Sequence, residues 1–344
     1  MAYCNGLLKK YDDANRLEDE KEKCLREKRD ELGEIIKNYF IDKGMKAPEF
    51  KGQGSFTMRT IINPKDDDKM YDIDYGVYIN KDDLLNEDDS LKTSFTAQNW
   101  VKAAVDKYNE KNGTEIEEVK HKNKCIRVIY KKEACDEKFH VDLPVYYKDE
   151  DICYLAVKDQ QSESSHGWEQ SDPRAIVDWF RNEVKEENKG EQYRRIIRYL
   201  KNWTALQSWN NTKPTGLLWT VLVSKNFYEA DNSDDISLVE TATKIKGFLN
   251  QVNPDLRNPV DENEKLLENY TTSAIEALVN KLDRLIEKGS EAIKKDENNL
   301  DEAEGLWQDI FSDLELDAPV DNISENKSLV TRAPAIIGNA NRSA

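Results

Sequence analysis

The sequence predicts an α+β fold in which a first domain of mixed strands and helices precedes an all-helical domain. Short segments rich in β-branched and aromatic residues occupy the first half, whereas long amphipathic patterns fill the second. We expect the first domain at residues 1–165, the helical domain at 166–316 and a mobile tail at 317–344. The tail contains two prolines and several Asn and Ser residues without periodicity, which is typical of unfolded termini.

The strand-rich half opens with a charged amphipathic pattern that predicts one long helix over residues 14–41. Strands are predicted at residues 58–62, 71–79, 125–130 and 139–146. Between the second and third strands, residues 96–111 have a helical pattern that ends at Asn112-Gly113. Strands interleaved with helices are typical of both α/β and α+β domains.

The helical half begins at Ser171-Asp172-Pro173, where the aspartate can cap a helix and the proline fits its first turn. Helical patterns follow at residues 173–187, 191–208, 215–230, 236–250 and 271–295. We therefore expect a second domain made of helices alone.

The net charge of −17 on 344 residues limits the partners. Such a surface repels DNA, RNA and anionic membranes, so we expect no long nucleic acid and no membrane partner. Nucleotides remain compatible, because a bound metal and a few local cations reverse the field inside one cleft. The sequence has no signal core and no apolar run of about 18 residues, which favours a cytoplasmic location.

The five cysteines predict neither a disulfide framework nor a zinc site, because their number is odd and no two form a Cys-x-x-Cys pair. They are Cys4, Cys24, Cys125, Cys135 and Cys153. A cysteine pattern that predicts no disulfide framework also favours a cytoplasmic location.

Three Asp-x-Asp pairs occur, but only Asp72 and Asp74 lie within a strand-like segment. Strand alternation places both carboxylates on one face and Ile73 on the other. Acidic pairs are most often solvated surface. Two carboxylates beside an apolar run repel each other, however, unless a cation such as a divalent metal neutralises them.

Two further segments strengthen this interpretation. Gly54 allows backbone amides to approach a phosphate closely, and the hydroxyl of Ser55 can donate to the same group. Asp142 interrupts an apolar strand, where a structural salt bridge is the alternative explanation. Phosphoryl-type transfer uses two metals about 4 Å apart, which carboxylates from neighbouring strands can hold. We therefore predict that Asp72, Asp74 and Asp142 are catalytic and bind two Mg²⁺ ions.

Three segments resemble the motifs of the polymerase-β-like nucleotidyltransferases: Gln53-Gly54-Ser55, Asp72-Ile73-Asp74-Tyr75-Gly76 and His140-Val141-Asp142-Leu143-Pro144. Sixteen residues separate Ser55 from Asp72. This spacing resembles that of the bacterial cyclic oligonucleotide synthases, the CD-NTases related to DncV-type enzymes. The resemblance covers about residues 50–265. It implies a polymerase-β-like core with a mixed sheet, a helical lobe, and an active cleft between them.

The resemblance also implies nucleotide contacts for several residues, namely Gln53, Gly54, Ser55, Arg127, Lys201, Thr215 and Asp261. Lys201 matches a triphosphate-binding lysine of the family, and Thr215 stands where the family has a small hydroxyl residue. A surface position is the alternative for Arg127, and a turn or cap is the alternative for Asp261. His140 and His166 match no catalytic-triad or metal pattern, so neither receives a chemical role.

The implied function is a Mg²⁺-dependent nucleotidyltransferase, with Mn²⁺ as a substitute metal, that joins NTPs such as ATP and GTP and releases pyrophosphate. A second transfer would close a cyclic di- or oligonucleotide, with a purine-containing, cyclic GMP-AMP-like product favoured. This second messenger would activate a separate effector protein in bacterial antiphage (CBASS) signalling. One alternative is a terminal nucleotidyltransferase that modifies RNA or protein. The acidic surface argues against RNA as its acceptor. The other alternative is a non-catalytic nucleotide sensor.

Overall fold

Within the part of the chain that the structure describes, eight strands form one mixed sheet. The computed structural model describes residues 2–65, 69–112, 115–158, 167–185, 187–210, 212–295 and 299–315. The strands are β1 (Glu49–Gln53), β2 (Tyr71–Ile79), β3 (Ile116–His121), β4 (Ile126–Tyr130), β5 (Phe139–Leu143), β6 (Val145–Asp149), β7 (Ile152–Ala156) and β8 (Trp168–Gln170). Their order is β3-β4-β5-β2-β6-β7-β8, and β1 pairs with β2. Because β5 and β6 pair in parallel with successive parts of β2, the sheet is mixed.

Helices flank the sheet and fill the second half. They are α1 (Ala2–Asn15), α2 (Asp19–Asp42), α3 (Gly54–Met58), α4 (Ser94–Asn112), α5 (Pro173–Glu183), α6 (Glu187–Leu206), α7 (Gly216–Asn226), α8 (Asp234–Leu249), α9 (Thr272–Lys294) and α10 (Leu300–Ile310). A small hairpin of β9 (Arg257–Asn258) and β10 (Asp261–Lys265) lies between α8 and α9. The predicted α+β class is confirmed. Within the described ranges, none of these helices is long and apolar enough to cross a membrane.

One face of the sheet is covered by α2 and α4 and forms the core of the first half. Leu32 and Phe40 of α2 belong to the same buried cluster as Ile73 of β2 and Val141 of β5. Because successive side chains of a strand point to opposite faces, Asp72 and its neighbours on the acidic side face away from this core.

The predicted single helix over residues 14–41 is wrong, since the chain leaves the helix between α1 and α2. Arg16 forms an antiparallel bridge with Ile62, and the amide of Asn63 donates to the carbonyl of Asn15 at 2.9 Å. Leu17 is buried at this break. Tertiary pairing therefore overrides a helical pattern that is continuous in the sequence.

The predicted strand at residues 58–62 is also wrong, because Gly54–Met58 forms the short helix α3. Gly54 enters it with φ +65° and Arg59 leaves it with φ 58°, so two left-handed residues enclose one helical turn. The predicted strand at 139–146 is divided at Pro144 into β5 and β6. Proline lacks the amide hydrogen that continuous pairing requires.

Helix α1 packs against α6, α8 and α10. Arg198 of α6 donates two hydrogen bonds to the carboxylate of Asp12 on α1, at 2.7 and 2.6 Å, and both side chains are buried. The same guanidinium donates to the backbone oxygen of Arg59 at 2.8 Å. This pair therefore fixes the segment that follows α3 against the helical half.

Cys24 of α2 and Cys135, which precedes β5, form a disulfide with a Cα–Cα distance of 5.8 Å. The expectation that no disulfide forms is wrong for this pair. The two cysteines are 111 residues apart, so their spacing carries no signal, and only packing of α2 on the sheet brings them together. Cys4, Cys125 and Cys153 are free thiols.

Residues up to Leu314 form one compact unit. The predicted boundary between residues 165 and 166 falls in a stretch outside the described residues, as does the predicted tail at 317–344. Both stay predictions.

Candidate active site

The parallel pairing of β2 and β5 places four polar side chains on one face of the sheet. Asp72 lies opposite His140, and Asp74 lies opposite Asp142. Since each strand contributes residues two apart, all four point to the same face. The two acidic strands predicted from the sequence therefore meet side by side.

Asp72, His140 and Asp142 each bring one ligand atom into a group whose members lie within 4.8 Å of one another. His140 Nε2 lies 2.9 Å from Asp72 Oδ1. The Asp72 side chain is 54% exposed, whereas those of His140 and Asp142 are 9% and 12% exposed. The group is thus open to a ligand on the Asp72 side and closed by the strands on the other.

Asp74 lies against Gly54 at the start of α3. A Cβ atom at position 54 would overlap the Asp74 carboxylate, and Gly54 also has positive φ, so this position requires glycine. Burial raises the pKa of Asp74 to about 7, with a further contribution from the negative charges of Asp72 and Asp142. The negative charges of Asp72, Asp74 and Asp142 therefore repel one another at this face.

Arg127 of β4 partly compensates this charge. Its Nε and Nη2 donate to the two carboxylate oxygens of Asp142, both at 2.7 Å. This is the salt bridge that the sequence left open as the alternative for Asp142. A carboxylate has about four lone-pair positions, so this bidentate pair leaves Asp142 able to accept further ligands.

Gln53 hydrogen-bonds to two tyrosines of the sheet beside the site. Its amide nitrogen donates to the hydroxyl of Tyr78 at 3.1 Å, and its amide oxygen accepts from the hydroxyl of Tyr146 at 3.4 Å. A side chain at Gly76 would overlap the Gln53 amide. Gln53 is buried, and these two tyrosines are its side-chain hydrogen-bond partners.

A cavity of about 310 Å³ lies between the acidic face and the helical half. Ser55 and Asp72 line it from the sheet side, and Lys201 and Trp219 line it from α6 and α7. The structure therefore brings together Ser55, Asp72 and Lys201, three residues that the sequence predicts for the site.

Lys201 is half-buried at the cavity wall. Its Nζ donates to the backbone oxygen and the hydroxyl of Thr60, at 2.8 and 3.2 Å. Desolvation, together with a smaller contribution from the positive charge of Arg198, lowers the pKa of Lys201 to about 7. A Cβ at Gly216 would lie 3.1 Å from Lys201 Cε, so glycine permits the first turn of α7 to approach the lysine closely.

Thr215 and Asp261 do not line this cavity. The hydroxyl of Thr215 caps α7 by accepting from the amide of Leu218 at 3.1 Å. Asp261 lies at the start of β10, where its exposed carboxylate accepts from the amide of Asn263 at 3.0 Å. Their roles in base recognition stay predictions.

No role was predicted for His140, Thr60 or Gly216 from the sequence. The only signal for His140 was its place two residues before Asp142, which puts it on the same strand face. Thr60 and Gly216 act through backbone position and close approach, which no residue pattern indicates. His166 lies outside the described residues.

Comparisons with known proteins agree with this geometry. Residues 48–146 match the family model described as the nucleotidyltransferase domain of DncV-like cyclic GMP-AMP synthases. A cyclic GMP-AMP synthase of Escherichia albertii is 29% identical over 221 residues, 63% of this chain and 46% of the relative. One of Escherichia coli (strain TW11681) is 27% identical over 69% of this chain and 60% of the relative. The chain thus aligns with about half of each relative's length.

Solved structures share the fold. Vibrio cholerae DncV cyclic AMP-GMP synthase, in complex with the linear intermediate 5′ pppA(3′,5′)pG, superposes with a TM-score of 0.69 at 18% identity, covering 88% of this chain and 93% of that chain. Escherichia coli DncV in its 3′-deoxy GTP bound form gives 0.66 at 17% identity, covering 87% and 92%. The chain therefore has the DncV fold, and its residues 48–146 match the nucleotidyltransferase domain of DncV-like synthases.

Proposed function

We propose that the chain is a metal-dependent nucleotidyltransferase that joins NTPs and closes them into a cyclic di- or oligonucleotide. The observation that carries the proposal is the register of β2 and β5, which sets Asp72, Asp74 and Asp142 together beside a cavity that contains Ser55 and Lys201. The curated relatives are named as cyclic GMP-AMP synthases, which supports the same chemistry.

The acidic face fits divalent cations. Asp74 has a raised pKa because burial and two neighbouring carboxylates disfavour its charge, which a cation would relieve. Ligand atoms of Asp72, His140 and Asp142 lie within 4.8 Å of one another, close enough to share one ion. We propose two Mg²⁺ ions, with Mn²⁺ as a substitute, held by Asp72, Asp74 and Asp142. Such ions stabilise the charge on the attacking and leaving oxygens.

The protein's own groups would orient the donor nucleotide. The start of α3 presents backbone amides and the Ser55 hydroxyl at the cavity, where they can donate to a triphosphate. Lys201, at the opposite wall, would add a positive charge to the same group. Bound phosphates favour its ammonium form, although burial lowers its pKa in their absence.

In this arrangement, a 3′- or 2′-hydroxyl of one nucleotide attacks the α-phosphorus of the other. The bond from that phosphorus to the bridging oxygen breaks, and pyrophosphate leaves. A second transfer between the ends of the linear product closes the ring. Gln53 and Gly54 would form the base of the site beneath the nucleotide. Arg127 would offset the negative charge of Asp142 before the nucleotide and metals bind.

The product we favour contains purines and resembles cyclic GMP-AMP, as in the named relatives. We place base selection in the helical half, with Thr215 and Asp261 as candidates. The chain would work in the cytoplasm, where its product would activate a separate effector protein in antiphage (CBASS) signalling.

Pyrophosphate release from the four NTPs tests the proposal. The wild-type protein with Mg²⁺ or Mn²⁺ should release it, and Asp74→Asn should not. Asp151→Asn is the matched control, because it makes the same change in an exposed Asp-x-Asp pair away from the cleft. Absence of pyrophosphate release by the wild-type protein with both metals would overturn the proposed function.

A further inference from the structure

His140 is a buried base within the acidic group and has no role in the scheme above. Both of its ring nitrogens are buried and lack a hydrogen-bond partner among the described residues. The contact of 2.9 Å between His140 Nε2 and Asp72 Oδ1 therefore lacks hydrogen-bond geometry. Buried polar groups are nearly always paired, so an unpaired imidazole at this place indicates a missing partner.

The missing partner has the geometry of a metal ion. Two bonds of about 2.1 Å at a right angle place their ligand atoms about 3 Å apart. Nε2 of His140 and Oδ1 of Asp72 show that separation, and Asp142 supplies a third ligand atom within 4.8 Å. The open side, at Asp72, is where a nucleotide phosphate from the cavity can complete the coordination.

The two carboxylates and one imidazole differ chemically from a site made only of oxygens. Mg²⁺ is a hard ion that prefers oxygen ligands and retains water. First-row transition metals accept imidazole readily, and their affinity for such sites rises along the series from Mn²⁺ through Co²⁺ to Ni²⁺. A nitrogen ligand therefore shifts selectivity away from Mg²⁺.

We propose that His140 is a metal ligand and that it makes this site prefer a first-row transition-metal dication to Mg²⁺. The inference rests on the proposed function in one respect: the ion bound by His140 is the ion that would bind the NTP. A purely structural histidine would position Asp72 through a hydrogen bond, which the present geometry does not provide. Nδ1 also lacks an acceptor among the described residues, so burial alone holds the ring.

The direct test is pulsed electron paramagnetic resonance on metal-stripped wild-type protein loaded with one equivalent of Mn²⁺. We expect nuclear modulation from a directly bound imidazole ¹⁴N. His140→Gln should lose this modulation, and His121→Gln should keep it. His121 is a matched control because it lies on β3 of the same sheet, with its Nε2 2.7 Å from the side-chain oxygen of Gln98.

Metal affinities provide the second readout. In the wild-type protein, titration should show affinities rising from Mg²⁺ to Mn²⁺, Co²⁺ and Ni²⁺. His140→Gln should weaken Mn²⁺ binding at least about tenfold, while Mg²⁺ binding should change less than about twofold, because water replaces the imidazole on Mg²⁺ without loss. His121→Gln should change neither affinity.

The absence of ¹⁴N modulation in the wild-type protein would overturn the inference, and this measurement requires no variant to fold. Equal weakening of Mg²⁺ and Mn²⁺ in a folded His140→Gln protein would also overturn it. Pyrophosphate release with Mg²⁺ by the same wild-type preparation would leave the proposed function standing in either case. The two failures are therefore distinguishable.

Discussion

Arg127 and Asp142 face each other on adjacent antiparallel strands and share two parallel hydrogen bonds of 2.7 Å. Through these bonds the guanidinium places a positive charge at the acidic face. It therefore takes part of the role that a metal would have in balancing Asp72, Asp74 and Asp142.

We expect Arg127→Ala to lower the free energy of unfolding of the metal-free protein by about 2–3 kcal/mol, because it leaves a largely buried carboxylate unpaired. Saturating Mn²⁺ should restore most of that loss. Urea unfolding in EDTA and in Mn²⁺ measures both values. An equal loss in the two conditions would show that the guanidinium does not substitute for the metal's charge.

The raised pKa of Asp74 predicts how the stability of the metal-free protein depends on pH. The folded protein holds this proton up to about pH 7, whereas the usual pKa is 3.8. The unfolded chain therefore binds fewer protons between these values, so stability falls as pH rises through that window and levels off above it. Thermal melts in EDTA should show this decline, and Asp74→Asn should make it shallower. An unchanged pH profile in Asp74→Asn would contradict the assignment.

Asp72→Asn and Asp74→Asn should each remove nearly all NTP turnover while the fold remains intact, because they remove ligand charge and not packing. Circular dichroism and pyrophosphate release together check this expectation. Asp142→Asn should also abolish turnover. Substantial turnover in both Asp72→Asn and Asp74→Asn, with Mg²⁺ as the only metal, would rule out the two-metal scheme.

Lys201→Ala should raise KM for NTP and leave kcat largely unchanged, because the lysine supplies a point charge to the triphosphate and transfers no proton. Gly216→Ala should raise KM to a smaller degree, since its Cβ would press on Lys201 Cε without removing the charge. Steady-state kinetics of both variants measure this. A fall in kcat with an unchanged KM for Lys201→Ala would show that the lysine contacts the triphosphate only in the transition state.

The Cys24–Cys135 disulfide predicts that oxidised protein unfolds at higher denaturant concentration than reduced protein. A disulfide typically adds about 2–4 kcal/mol to the free energy of unfolding. Urea unfolding with and without reductant measures the difference, which Cys135→Ser should abolish. Cys125→Ser is the control and should keep it, because Cys125 is a free thiol.

The acidic pairs and their strands could be predicted because alternation and an apolar flank are local properties of the sequence. Asp72 and Asp74 therefore lie where the sequence places them, and the helix patterns from residue 173 onward correspond to α5 through α9. Helix α10 and the strands β1, β3, β7 and β8 were not predicted.

The features that the sequence did not reveal depend on contacts distant along the chain. His140 becomes part of the site only through its pairing opposite Asp72, and Cys24 meets Cys135 only when α2 packs on the sheet. The turn of α3 replaced a predicted strand because Gly54 adopts positive φ against Asp74. Register and close packing decide such features, and neither is written in a local pattern.

Mass spectrometry of the nucleotide product tests the central claim most directly. Pure wild-type protein, incubated with four NTPs and Mg²⁺ or Mn²⁺ and then treated with phosphatase, should leave a phosphatase-resistant species with the mass of a cyclic purine dinucleotide or larger ring. The Asp74→Asn protein should leave nucleosides alone. Recovery of nucleosides alone from the wild-type protein, or label found only on added RNA or protein, would contradict the account.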